Sequence, residues 1–458
     1  MKKRTRYRGR SLMGGKGYRI CVRLYGATVR AVEARAATLR AMRRIGRILT
    51  VAGQTFDFDA VRNLYVIGFG KASSAMAQAA EATLYGPITA GIVVTKYDHA
   101  LPTQIVAVRE ASHPTPDEAG IAATTEILAL CDAAGPDDLV LCLVSGGGSA
   151  LFECPVEGLT LEDVRETTRV LLVAGAPITA LNVVRKHLSA VKGGQLARRV
   201  APAALVTLIL SDVIGDPLNV IASGPTVPDN TTFAQALAVL DTYGVRAEVP
   251  GAVYRHLRDG ARGLFPDTPF AGKPFFARTH TAIIANAQRA LDAVARAATA
   301  MGYPTLVLSG GMEGEARVTA RLFVSMAWQA RHYGQPVPGP VCLLAAGETT
   351  VTVTGSGVGG RNTEFALAAA LALDGTEGIV IGALATDGGD GPTDAGGAVV
   401  HSHTVARARA RGMDPAEYLR NNDAYTFFTH VGGLARPGPT NTNVNDLMVA
   451  LIEESETR

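Results

Sequence analysis

The strongest constraint on this chain is a join that recurs along it: a short apolar run, a glycine-rich loop, then a run with helical character. Asp138-Leu139-Val140-Leu141-Cys142-Leu143 leads into Val144-Ser145-Gly146-Gly147-Gly148-Ser149-Ala150. Leu64-Tyr65-Val66-Ile67 leads into Gly68-Phe69-Gly70, and Lys71 to Leu84 reads as an Ala-rich helix. Ala204 to Leu210 is apolar and ends in Ser211-Asp212. Alternation of buried strands with helices predicts a doubly wound α/β domain, with its loops at the carboxyl ends of the strands. The pattern resumes further on. Ala287 to Ala300 reads as a helix, Thr305 to Leu308 as a strand, Glu315 to His332 as a helix, and Val341 to Ala345, Val351 to Thr354 and Ile379 to Ala385 as strands. The predicted fold class is therefore α/β, with two α/β domains, the N-terminal one doubly wound and Rossmann-like.

Residues 246–275 interrupt this regularity. Pro250, Pro266, Pro269, Gly272 and Pro274 crowd there without a long periodic element, which predicts a domain boundary. The expected division is a basic extension over 1–25, disordered, then domains over 26–260 and 275–458. Val183 to Arg199 is read as one helix carrying Arg185, Lys186, His187 and Lys192.

With 458 residues and 47% hydrophobic content, the chain can bury a large core. Its net charge of +3 hides an asymmetry. Residues 1–47 hold fifteen Lys or Arg and one Glu, which leaves the remainder acidic. A basic head fits nucleic acid, a membrane surface, a transit peptide, or simply an extension. The acidic body argues against a nucleic-acid partner, because it would repel a phosphate backbone. No run of 18 apolar residues predicts a membrane span. Five cysteines, an odd number without a CxxC pair, read as reduced core thiols of a cytoplasmic protein. The sequence leaves the oligomeric state open, a homodimer included.

Five loops carry chemistry, and each has a plainer alternative. Three glycines in Ser145–Ser149 remove every Cβ from the turn, so backbone N–H groups can converge on a phosphate; the alternative is a tight turn with no ligand. Lys71, after Gly70, stands at a helix start that favours anions, or is a surface lysine. Asp212 at a strand end suits Mg²⁺ completed by phosphate oxygens, or caps the next segment. Arg361-Asn362 follows Gly355-Ser356-Gly357-Val358-Gly359-Gly360, which suits a loop over an anion or a mobile hairpin with an exposed Arg. Asp387, Asp390 and Asp394 among glycines look like a cation or hydroxyl site, or a polar turn. His113 and His187 lack a Ser, Cys or second His at a telling distance. Gly68-Phe69-Gly70-Lys71 lacks the third glycine of a dinucleotide fingerprint, which disfavours the alternative function, an NAD(P)-dependent reductase.

Taken together, Gly68–Ser74, Ala111–Gly120, Ser145–Ala150, Gly175–Leu196, Leu210–Asp229, Glu313–Arg317, Gly347–Leu367, Asp387–Val400, Asn422–Phe428 and Gly438–Asp446 resemble the glycerate 2-kinase family, whose C-terminal half is the MOFRL domain. The resemblance covers about residues 26 to 452. It implies an active site in an interdomain cleft and ATP-dependent phosphorylation of D-glycerate to 2-phosphoglycerate with Mg²⁺. It places Lys71 and Arg361 on the family's two catalytic basic residues. The remaining roles are assigned within that frame. Asp212 is a third catalytic group; Ser145, Gly146, Gly147, Gly148, Ser149 and Gly70 cradle the nucleotide phosphates. Lys186, Asp387 and Asn362 bind substrate, and Asp212 and Asp387 hold the metal. The sequence departs from the family pattern at Met312, at Ala345-Ala346 and at Asn441.

Overall fold

A computed structural model of the protein describes residues 15–440 and 442–454. The chain falls into two compact units, residues 34–284 and residues 1–33 with 285–458.

In the unit over 34–284, a six-stranded sheet has the order Val106–Ala111, Ile88–Lys96, Leu64–Phe69, Leu139–Val144, Ala204–Leu210, Thr279–Ala285. The first five strands run parallel. Numbered along the chain, that order is 3-2-1-4-5-6, the doubly wound arrangement. The direction of winding reverses between Leu64–Phe69 and Leu139–Val144, and ligands of such sheets sit at that switch. Both strands are buried along their whole length, which is why their sequences read as unbroken apolar runs. Four helices, Leu161–Val173, Ile178–His187, Phe233–Thr242 and Gly251–Ala261, enclose a separate apolar cluster around Leu171, Leu188, Leu240 and Leu257. Thr160 and Asp163 form the capping box that starts the first of them.

In the other unit, a mixed sheet has the order Thr305–Glu315, Val341–Thr350, Asp446–Ile452, Ile379–Ala385, Gly397–His401, Leu434–Ala435. Helices Ala316–Tyr333 and Arg361–Ala372 share one core cluster with it. Helices Lys16–Val32 and Ala287–Ala300 share another, built on Cys21, Leu24, Leu291, Val449 and Leu451.

These observations correct several sequence expectations. Residues 16–25 are not a disordered extension: they begin the helix Lys16–Val32, whose Cys21 and Leu24 are fully buried. Tyr25 Oη donates to the Ala385 carbonyl at 3.0 Å, which ties this helix to the sheet. Its arginines fall on the solvent side, so the apolar stripe was hidden by the charge count. The expected disorder of residues 1–14 lies outside the described residues, as does Asn441. No boundary separates 260 from 275. Gly251–Ala261 is a helix of the first unit, which continues to residue 284. The single helix expected over 183–199 is two, Ile178–His187 and Gln195–Val200. Gly193 and Gly194 break it with φ of +55° and +82°, and a Cβ on Gly194 would meet the Val227 carbonyl oxygen at 2.8 Å. Val351–Thr354 is irregular; the strand ends at Thr350.

Candidate active site

Each of the five parallel strands delivers a polar group at its carboxyl end. The strand Leu64–Phe69 is followed by Gly70-Lys71, Ile88–Lys96 ends on Lys96, and Val106–Ala111 is followed by His113. Leu139–Val144 leads into Ser145–Gly148, and Ala204–Leu210 into Ser211-Asp212.

The loops on either side of the switch are interlocked. The Lys71 N–H donates to the Gly146 carbonyl at 2.9 Å, the Ser145 N–H to the Phe69 carbonyl at 3.1 Å, and the Ala72 N–H to Ser145 Oγ at 3.0 Å. Gly70 has a φ of +124°, and a Cβ there would collide with Ser145. A Cβ on Gly146 would collide with the Asp212 carboxylate. One on Gly147, at φ +82°, would lie 2.9 Å from His113 Cδ2 and 3.3 Å from Lys71 Cε. The glycines are therefore required by the side chains brought against them: Asp212 on one side of the loop, Lys71 and His113 on another. Ser149, by contrast, turns inward. Its Oγ bonds Ser223 Oγ at 2.7 Å, and Ser223 donates to Asn182. Arg185, which the sequence reading left unassigned, donates from Nη2 to the Ser149 carbonyl at 3.0 Å. Burial lowers its pKa, partly offset by the Glu153 charge.

Beside Lys71, this edge carries two further basic groups: Lys96, which the sequence pattern does not single out, and His113, which it sets aside. Among the described residues, neither Lys71 nor Lys96 has a carboxylate partner, and the His113 ring makes no hydrogen bond. Burial pushes the His113 imidazole down to about 4, and the charges of Lys71, Lys96 and His99 push the same way. Its place just beyond a strand end was the signal available, but the strand Val106–Ala111 went unread.

Lys186 does not fit the substrate-binding role. Its Nζ donates to Asp229 Oδ1 at 2.8 Å in a pair almost wholly buried. The hydroxyls of Thr231 and Thr268 fill the second oxygen of Asp229, so the lysine's charge is already neutralised.

In the second unit, Arg361 opens the helix Arg361–Ala372. Its guanidinium spans two carboxylates: Nε reaches Asp446 Oδ2 at 2.5 Å, Nη2 reaches Asp446 Oδ1 at 3.2 Å, and Nη1 reaches Glu348 Oε1 at 2.6 Å. Burial alone would weaken its charge, but Asp446 and Glu348 outweigh that and raise its pKa. Burial pushes the Asp446 carboxyl up to about 6, against hydrogen bonds from Arg361 and Asn362, while the Asp390 charge pushes it further up. The loop before Arg361 is no mobile hairpin. Asn421, Asn422 and Asp423 accept from the N–H groups of Ser356, Thr354, Gly355 and Val358.

Asn362 is also displaced from its expected role. It is 1% exposed, and its N–H donates to Asp390 Oδ1 at 2.9 Å, so it supports the site from behind. Nor do the three aspartates form one cation site. Asp390 caps the helix through the N–H groups of Asn362 and Thr363. Asp394 pairs with Arg436 and Tyr425. Asp387 is exposed and accepts from Gly389 N–H at 3.0 Å, which leaves it acceptor capacity for a hydroxyl or a cation.

Among the described residues, no group of three or more His, Cys, Asp or Glu is placed to hold a metal alone. Mg²⁺ needs no such cage, because it takes one or two carboxylates and completes its shell with phosphate oxygens and water. The Asp212 carboxylate against Gly146 is a donor of that kind.

The fold and these loops define a two-unit α/β protein with a glycine loop at the switch point of its doubly wound sheet. Residues 20–258 match a family described as Domain of unknown function (DUF4147), and residues 341–446 match the MOFRL family. A D-glycerate 2-kinase of Thermotoga maritima is 42% identical over 388 residues, covering 84% of this chain and 90% of that protein. A relative from Agrobacterium vitis that carries a hydroxypyruvate reductase name is 46% identical over 389 residues, covering 84% of this chain and 86% of its own. The crystal structure of a Thermotoga maritima glycerate kinase superposes with a TM-score of 0.86 at 38% identity, covering 96% of this chain and all of that one. The chain belongs to the glycerate 2-kinase family.

Proposed function

We propose that this protein transfers the γ-phosphoryl group of ATP to the 2-hydroxyl of D-glycerate, giving 2-phosphoglycerate and ADP. The observation that carries this reading is the glycine loop Ser145–Gly148 beside Lys71, which has no carboxylate partner among the described residues, at the switch point of the sheet. Phosphoryl transfer asks a protein for positioning and for charge around the transferred group rather than for covalent chemistry. Gly146 and Gly147 offer the phosphates their main-chain N–H groups, and Lys71 faces them as a cation; Gly70, Ser145 and Gly148 instead shape the loop, their N–H groups donating to the Val94, Phe69 and Ser145 carbonyls. Ser149 positions the loop from within. Asp212 holds Mg²⁺, which, when bound, neutralises charge on the phosphate oxygens. Arg361 supplies a second cation, a guanidinium fixed by Asp446 and Glu348, and Asp387 an acceptor for a hydroxyl or a cation. In the transfer, the glycerate oxygen forms its bond to phosphorus, the bond from phosphorus to the bridging oxygen breaks, and the hydroxyl proton is released. All five cysteines are free, which suits a reducing cytoplasm.

A coupled assay of ADP release tests this. ADP formation that requires both D-glycerate and Mg²⁺ is expected; release independent of glycerate would count against it. The reductase name of the Agrobacterium vitis relative supports a second reading, and titration of NADH fluorescence decides it. No quenching is expected, since the Gly70-Lys71 turn lacks the third glycine that brings a dinucleotide against the helix.

A further inference from the structure

We propose that Lys96 and His113 form an oxyanion subsite beside Lys71, which takes a carboxylate or phosphate group of one of the two reactants. This rests on the kinase reading of the same edge of the sheet. The two residues come from adjacent strands, Lys96 ending Ile88–Lys96 and His113 standing two residues beyond Val106–Ala111. Both strands lie on one side of the switch point. The imidazole faces the glycine loop: from a Cβ on Gly147, Cδ2 would lie at 2.9 Å and Nε2 at 3.1 Å. Glycine at 147 is what leaves that approach open.

Among the described residues, Lys71, Lys96 and the His113 ring have no ion pair or side-chain hydrogen bond between them and any carboxylate. Two buried lysines of the same unit are paired, Lys186 with Asp229 and Lys192 with Glu153. The groups that act on His113 are Lys71, Lys96 and His99, all basic. The nearby acids Asp98 and Glu110 act on His99, at the outer edge. Glu110 is further occupied by the Ala100 N–H at 3.2 Å. A cluster of like charges without counter-ions is relieved by an incoming anion. With Lys186 committed to Asp229, this cluster also supplies a cation for the substrate carboxylate.

The test is steady-state kinetics of Lys96→Met and His113→Gln, with KM measured separately for D-glycerate and for MgATP. A rise of about tenfold or more in one KM, with little change in Tm, is expected, and Lys96→Arg should restore most of it. A rise for glycerate assigns the carboxylate, and a rise for ATP assigns a phosphate. Both KM values within twofold of wild type overturn the subsite. A second readout does not depend on turnover. The NMR titration of the His113 ring, identified by its loss in His113→Gln, should shift upward by about one pH unit or more when pyrophosphate or D-glycerate is added. It should shift upward without ligand in Lys96→Met, where a neighbouring charge is gone. No shift with either anion refutes the proposal, even in a protein that proves not to be a kinase.

Discussion

The neighbourhoods of Lys71 and Arg361 present basic groups in opposite conditions. Lys71 stands with Lys96, His99 and His113 and has no acid to pair with among the described residues. Arg361 is gripped by Asp446 and Glu348 before any ligand arrives. The first arrangement is electrostatically uncompensated and gains from an anion. The second is preorganised: the fork is fixed by the buried Asp446, and the exposed Glu348 is the contact an incoming oxyanion can displace. One region offers net positive charge, the other a fixed direction. Phosphoryl transfer in general calls for both kinds of contribution, charge to collect a polyanion and direction to hold the moving group in line.

Lys186 provides the sharpest contrast with Lys71 and Lys96, because it is a basic residue with its counter-ion built in. Lys186→Met should lower stability by about 3–5 kcal/mol by stranding Asp229, and leave KM for glycerate near wild type if the fold survives. Thermal denaturation and kinetics read the two effects; an unchanged Tm with a raised KM would return Lys186 to the substrate. Arg361→Ala should reduce kcat by about 10²–10³, or roughly 3 kcal/mol, with a smaller effect on Tm. A wild-type kcat in that variant would reduce Arg361 to a structural tie. Asp390→Ala removes the cap of the helix that Arg361 opens and should cost about 1–2 kcal/mol, seen as a lower denaturant midpoint. Its kcat should fall less than that of Arg361→Ala.

The smallest effect is the pH response of the Lys71 side. The His113 pKa is about 4 in the fold against 6.5 as the ordinary value, so the folded state favours the neutral ring. Its contribution to stability is complete above pH 6.5 and is lost as pH falls towards 4. His113→Gln should therefore flatten the acid limb of Tm against pH. An unchanged limb would show that other groups govern it.

Local pattern and tertiary contact divide what could be read in advance. The apolar runs before Gly68, Ser145 and Ser211 carried their strands openly, because parallel strands buried on both faces show no alternation to misread. The glycine loops were legible for the same reason, although only the fold shows that Gly146 and Gly147 yield to Asp212 and His113. The helix Lys16–Val32 was missed because its arginines dominate the composition, and a stripe of Ile20, Cys21 and Leu24 gains meaning only against a sheet some 350 residues later. The commitments of Lys186 to Asp229 and of Asn362 to Asp390 are long-range pairings with no local signature. The break at Gly193-Gly194 was visible as two glycines, but its cause, a close approach to Val227, was not.

The most direct test is ³¹P NMR of the protein with MgATP and D-glycerate. A 2-phosphoglycerate resonance growing in step with ADP is expected. A 3-phosphoglycerate resonance, or ATP left intact beside unmodified glycerate, would contradict it.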